Sequence, residues 1–285
     1  QFISKTAYAE DSTLDPKVWE SLHISHMMEQ ASEFDIIHNH FDFLPLTYSR
    51  LIKTPMVTTI HGFSSKKIIP VYQKYNAGTS YVSISNSDRS SELDYIATVY
   101  NGIDSSKFTF NPAPKDYLLF FGRIHPDKGT WESIQIAKQA NKKLIISGLI
   151  QDQAYFESKV KPYINNKDIV YVGNSGPKER DLLLGEARAL LHPINFDEPF
   201  GLSVAEAMFC GTPVVAFKKG SMPELIKHAA TGFLVNTVNE AVNSLDKIDS
   251  IDRKYCRSWA LSNFSTEQMV DGYLKVYRQI VETGH

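Results

Sequence analysis

Short β-rich runs alternate with stretches of helical periodicity along almost the whole chain, and that alternation restricts the fold to βα units on parallel sheets. In the first part the strands read as "FDIIH" (34–38), "MVTTI" (56–60), "YVSIS" (81–85) and "ATVY" (97–100), with a helix over 17–33 ahead of them. The pattern restarts at "YLLFFG" (117–122). It continues through "KLIIS" (143–147), "IVYVG" (169–173), "ALLHP" (189–193), "PVVAF" (213–217) and "GFLV" (232–235). Helices are expected over 129–140, 152–164, 176–186 and 201–210, and "STEQMVDGYLKVYRQIVE" (265–282) ends the chain as a helix. The Asn-Pro-Ala-Pro stretch at 111–114 suits neither regular element. The expected division is therefore 1–110, 111–264 and a last helix over 265–285 returning towards the first part.

With 285 residues the chain has room for two medium domains. A net charge of −2 and 22% charged residues show no basic excess, which argues against a nucleic-acid partner. Cys210 and Cys256 cannot build a disulfide framework, so a reducing cytoplasm is the expected compartment. No apolar run approaches the ~18 residues of a spanning helix.

Open α/β sheets bind ligands outside the carboxyl ends of their strands, so the residues following each strand carry the most information. These include Asn39 and His40, His61 and Gly62, "GRIHPDKG" (122–129) and "INFDEPFG" (194–201). Gly201 opens a helix whose first amides lack intrahelical partners, and a residue without Cβ lets phosphate or sugar oxygens come close. Glu198, in the loop, can accept hydrogen bonds from hydroxyls, and Glu206, on the second turn, could hold a vicinal diol such as a ribose. The plainer alternative makes Glu198 a complement to the helix dipole and Glu206 a solvated face residue.

Arg123 and Lys128 lie on one strand-to-helix loop, where two cations can neutralise a diphosphate without a metal; the alternative is a solvated basic turn. The chain contains no G-x-G-x-x-G, no P-loop and no D-x-D pair, which lowers the dinucleotide, P-loop and metal-dependent readings. His38, His40 and His61 could form a zinc set. The favoured reading has His61 pointing into a cleft as a hydrogen-bond partner, with no metal.

Together these pieces resemble the retaining glycosyltransferases of family 4, the former group 1 class. The E-x7-E motif matches as Glu198 and Glu206 within "EPFGLSVAEAMFCGTPVVA", and the phosphate loop as "FGRIHPDKG". "VYNGID" (99–104) matches the domain junction, and "FDIIHNH" and "TTIHG" match the acceptor-domain signatures. The resemblance spans nearly the whole chain. It implies an α/β fold of GT-B architecture, two Rossmann-like domains facing a cleft. Family members open with a strand and a glycine-rich loop for which no counterpart is read here, so the first domain is expected to be incomplete at its start.

The resemblance also implies roles. Arg123 and Lys128, with Gly122 beside them, would bind the donor diphosphate and stabilise charge on the departing nucleoside diphosphate. Glu198 would hold donor-sugar hydroxyls, the amides at Phe200, Gly201 and Leu202 would contact sugar or phosphate oxygens, and Glu206 would hold the ribose. His61 would face the transferred sugar, completing a catalytic set with Arg123, Lys128 and Glu198. The nucleoside-diphosphate sugar, UDP- or GDP-linked, would be a substrate, with no cofactor. The acceptor would be a sugar, lipid-linked or small-molecule hydroxyl, and a lipid-linked one would bring peripheral contact at the inner face of a membrane. Base recognition is expected from loop backbone near Gly148 and Gly173–Gly176.

Three other readings compete: a sugar-nucleotide epimerase or phosphorylase, a non-catalytic nucleotide-sugar binding module, and a glycoside hydrolase using Glu198 and Glu206. The last is weakest, because a hydrolase's carboxylates face one bond from two sides, whereas these flank a single helix start.

Overall fold

The structure is a computed structural model and describes residues 13–63 and 65–283. The chain forms two compact units. Among the described residues, the first runs to Ser83 and takes in Arg89–Thr98 and the chain from Tyr273 on, while the second holds Ile84–Asp88 and Val99–Gly272. The long segment of the second unit thus begins at Val99, ahead of the prolines where a boundary near 110 was expected, and ends at Gly272. The reason is local: the Asn111 carbonyl accepts a hydrogen bond from Arg253 and the Asn111 amide donates to Cys210, tying that stretch into the second unit. The expected absence of an opening strand falls on residues 1–12, which lie outside the described residues.

The first unit carries a parallel sheet of β1 (Ile37–Asn39), β2 (Met56–Ile60), β3 (Ser80–Ser83) and β4 (Tyr95–Thr98), in that spatial order. All five residues of β2 are buried, Thr58 and Thr59 included, as a strand covered on both faces of a parallel sheet requires. Helix α1 (Pro16–Glu29) starts at Asp15, whose carboxylate accepts from the Lys17 amide, and α2 (Ile69–Tyr75) places Tyr72 and Tyr75 in the core beside Tyr81 and Leu46. The first strand is shorter than the expected 34–38, because Phe34 and Asp35 are exposed and only Ile37–Asn39 pairs with β2.

The second unit carries six parallel strands: β5 (Leu118–Phe121), β6 (Leu144–Ser147), β7 (Ile169–Tyr171), β8 (Ala189–His192), β9 (Val214–Phe217) and β10 (Gly232–Val235). Their spatial order is β10-β9-β8-β5-β6-β7. In chain order that is the Rossmann arrangement, in which the two central strands send their connections to opposite sides. The switch point falls between β5 and β8, so the loops 122–129 and 193–201 leave adjacent strands.

The connecting helices are α3 (Thr130–Gln139), α4 (Gln153–Tyr155), α5 (Pro177–Glu186), α6 (Leu202–Phe209), α7 (Met222–Leu225), α8 (Val238–Leu245), α9 (Arg253–Phe264) and α10 (Thr266–Thr283). The single helix expected over 152–164 is instead α4, a π-helical turn at Phe156–Val160 and a 3-10 turn at Lys161–Tyr163. Pro162 supplies no backbone N–H and cannot sit inside a regular helix. Helices α8 and α9 fill a stretch for which the sequence reading named no element.

Candidate active site

The switch point brings the two predicted loops into direct contact. The Asn195 amide donates to the Asp127 carbonyl at 2.7 Å, and its side chain donates to Pro126 and Glu132. Gly129 ends the 3-10 turn Pro126–Lys128 at φ 73° and caps α3. A Cβ there would lie 1.9 Å from the Pro193 carbonyl oxygen, so only glycine lets the loops close on one another.

Lys128 and Glu198, 70 residues apart in sequence, meet in this contact: Lys128 Nζ lies 2.6 Å from Glu198 Oε1. The lysine side chain is 13% exposed and the glutamate 15%, and the ammonium also sits 4.7 Å from the Phe196 ring centroid. The second oxygen, Glu198 Oε2, lies 3.2 Å from Nε2 of His192, the buried last residue of β8. Burial alone would push the Glu198 carboxyl up. The hydrogen bond and charge of His192, joined by those of Lys128, outweigh it and hold the carboxyl below the usual carboxylate range. The loop is braced from behind, since the Ser221 amide donates to the Glu198 carbonyl and the Ser221 hydroxyl to the Phe200 carbonyl.

Helix α6 begins at Gly201, with φ 91°, and Phe200 beside it is buried while Leu202 is 52% exposed. Its first amides are those that helix geometry leaves without intrahelical partners. Glu206, on the second turn, is not the solvated residue of the plainer reading, being only 8% exposed. Arg180 of α5 donates to its Oε1 at 3.1 Å. Burial raises the Glu206 carboxyl above its ordinary value, and the Arg180 charge opposes that rise. The two glutamates therefore occupy neighbouring but chemically different places.

Arg123 stays exposed after β5, and its Nη1 donates to Gln151 at 2.6 Å, so it does not join the Lys128 pair. Gly122 accepts a close approach from the β6 end, where the Gly148 amide in turn bonds the Gly173 carbonyl at 2.8 Å. The backbone expected to read a base is thus gathered at the carboxyl ends of β5, β6 and β7. His192 and Arg180 escaped the sequence reading. The first looked like one more strand residue and the second like one charge on a helix surface, and neither stands in a motif.

In the first unit, His61 follows β2 and is exposed. Its Nε2 lies 2.9 Å from His40 Nδ1, while His38 bonds Tyr277 through Nδ1 and Thr59 through Nε2. These nitrogens are turned towards one another and towards hydroxyls. Among the described residues, no group of three or more His, Cys, Asp or Glu is arranged to hold a metal ion. Burial, with the charges of His40 and His61 adding to it, lowers His38 to about 4. Among the described residues no helix is long and apolar enough to cross a membrane.

The chain is 27% identical to an uncharacterized 41.2 kDa protein in the cps region of Klebsiella pneumoniae, over 87% of this chain and 79% of that one. A glycosyltransferase from Rickettsia africae shares its fold with a TM-score of 0.77 at 19% identity, over 92% of this chain and 80% of that chain. The Anabaena protein HepE, solved with UDP and glucose, gives a TM-score of 0.70 at 21% identity, over 91% of this chain and 80% of that one. The fold is the GT-B type that the sequence motifs implied. The model of the family "Glycosyl transferases group 1" matches residues 103–259, more than half of the chain and both loops 122–129 and 193–201, and the chain belongs to that family.

Proposed function

We propose that this glycosyl transferase moves a sugar from a nucleoside-diphosphate sugar to an acceptor hydroxyl, with retention at the anomeric carbon and without a metal or a separate cofactor. The observation that carries the reading is the Lys128–Glu198 pair just before α6, a mostly enclosed cation beside a charged hydroxyl acceptor. An ammonium has three donors. Glu198 takes one, and two remain for diphosphate oxygens. Arg123, exposed at the mouth of the same loop, adds a second cation, so the charge that grows on the departing diphosphate meets preorganised donors.

Glu198 then holds sugar hydroxyls, the amides of Phe200, Gly201 and Leu202 hold sugar or phosphate oxygens, and Glu206 holds the ribose. The acceptor oxygen bonds to the anomeric carbon on the face from which the diphosphate leaves. Its proton passes to the departing phosphate oxygen as the C–O bond to the diphosphate breaks. No protein carboxylate serves as nucleophile, which suits a site whose two glutamates flank one helix start. The complex of HepE with UDP and glucose supports a UDP-linked donor as the first to try. The acceptor is a sugar, free or lipid-linked, or another small hydroxyl compound.

The test is a panel of UDP- and GDP-sugars incubated with acceptors, in strong chelator, with the product anomer assigned by NMR. Transfer with retention in chelator is expected. Turnover that vanishes in chelator and returns with Mg²⁺ or Mn²⁺ would refute the metal-free reading. An epimerised sugar formed without acceptor would move the protein to the epimerase class.

A further inference from the structure

Glu206 has one charged neighbour, and that neighbour does not belong to the motif. Arg180 takes Oε1 at 3.1 Å, and among the described residues no donor bonds Oε2. The Arg180 guanidinium lies 5.2 Å from the Phe108 ring centroid, and its Nε is buried without a described partner. It therefore has no competing carboxylate among the described residues. Several other charged groups on the elements packed around α6 bond elsewhere, and of the nearby charges Arg180 is the one that acts on the Glu206 carboxyl. On α5, Asp181 accepts from the Thr109 amide and the Cys210 thiol, and Glu179 accepts from the Gly176 amide. On α9, Arg253 donates to the carbonyls of Asn111, Ala187 and Gly185 and to Thr212, and Arg257 donates to the carbonyls of Phe108 and Phe209. At the end of β8, His192 faces Glu198, which Lys128 also holds.

We propose that Arg180 is a positioning residue for nucleotide binding: by taking one oxygen of the buried Glu206 it keeps that carboxylate charged and leaves the other oxygen turned out for a ribose diol. The inference rests on the ribose role proposed for Glu206. A carboxylate can accept from both hydroxyls of a diol, whereas a protonated carboxyl gives up one acceptor to become a donor. Burial drives Glu206 towards the protonated form and Arg180 opposes it. Removing the guanidinium thus carries a signature that mere loosening of the fold lacks. Binding falls most at low pH and recovers as pH rises and Glu206 ionises.

The experiment titrates UDP and GDP into wild type, Arg180→Gln, Arg180→Lys, Glu206→Gln and the Arg180→Gln/Glu206→Gln double variant from pH 6.5 to 9, with circular dichroism checking each fold. Taking each affinity relative to wild type at the same pH cancels titration of the diphosphate itself. Arg180→Gln is expected to bind about tenfold more weakly at pH 6.5, the scale of one charged hydrogen bond, with the loss shrinking as pH rises. Arg180→Lys should rescue affinity and show no slope. Glu206→Gln should be weak at every pH, and adding Arg180→Gln to it should cost nothing further.

A loss for Arg180→Gln that is the same at every pH, or a double variant weaker than Glu206→Gln alone, would overturn the inference. Should Arg180→Gln fail to fold, Arg180→Lys against Glu206→Gln decides. A lysine variant as weak as Glu206→Gln at all pH values overturns the proposal, and one that binds like wild type sustains it. A 2′,3′-dideoxy-UDP arm separates the two layers. If wild type binds it as well as UDP, or binds no nucleotide, the ribose reading fails and takes this inference with it. If wild type discriminates but Arg180→Gln shows no slope, only the role of Arg180 fails.

Discussion

The loop before α6 and the second turn of α6 each present a glutamate, and their surroundings push the two carboxyls in opposite directions. Glu198 is enclosed by a lysine and a histidine and lies below the usual carboxylate range, whereas Glu206, also enclosed, has one arginine and is raised from its ordinary value. Burial is common to both. What differs is the number of partners that favour the charged form, and that number decides which effect wins. The sequence separates the two glutamates into a loop ligand for sugar hydroxyls and a helix ligand for a ribose, but not by their surroundings. The geometry adds that difference, setting a strongly charged loop against a quieter helix face.

The largest effect should come from removing the cation that the two halves do not share. Lys128→Ala is expected to lower kcat by roughly 10²–10³-fold, the scale for losing one preorganised donor at a developing charge. Donor KM should change less, because the charge grows only as the bond breaks. Steady-state kinetics on folded protein gives the answer. A variant with wild-type kcat would make Lys128 a structural partner of Glu198 and remove the contrast with α6.

Next in size is the exchange of roles between the glutamates. Glu206→Ala should weaken binding of plain UDP or GDP by about 1.5–3 kcal/mol, the worth of one charged hydrogen bond. Glu198→Ala should impair turnover and sugar-donor binding while leaving the affinity for the bare diphosphate nearly intact. Calorimetry on both variants with the same nucleotide tests this directly. Equal losses would mean that the loop and the helix serve one subsite.

Much of this arrangement was legible in the sequence, and the illegible part has a common cause. Strands β2 and β10 were read to the residue, because Met56–Ile60 is rich in β-branched residues, Gly232–Val235 is largely apolar, and both are short runs. Gly129 and Gly201 were placed at helix starts, and they stand as the N-cap residues of α3 and α6. The segment 152–164 was misread because its periodicity is helical even though Pro162 breaks the hydrogen-bond ladder. What local pattern could not show were partners supplied by distant elements. Lys128 and Glu198 were both chosen as donor ligands, yet nothing in either loop says that they bond each other. His192 and Arg180 enter the site only once the sheet order sets β8 beside β5 and α5 beside α6.

The smallest expected effect is on stability, and its sign separates the two regions most cleanly. Glu198 has a folded-state value below the ordinary 4.5, so the stability it contributes is present above the unfolded value and lost as pH falls through the folded one. Glu206 is raised, so its contribution is present below the unfolded value and lost as pH rises through the folded one. Glu198→Gln should therefore melt below wild type at pH 7, since it leaves Lys128 with a weaker partner inside the fold. That deficit should shrink as pH falls from 4.5 towards 3. Glu206→Gln should melt level with or above wild type at pH 7 and lose ground to it on acidification towards pH 4.5. Each kcal/mol corresponds to about 2–4 °C for a unit of this size, so thermal melts at matched ionic strength can resolve the two slopes. Parallel curves for the two variants would show that burial alone governs both carboxyls, and that the partners of Glu198 contribute geometry without deciding its charge.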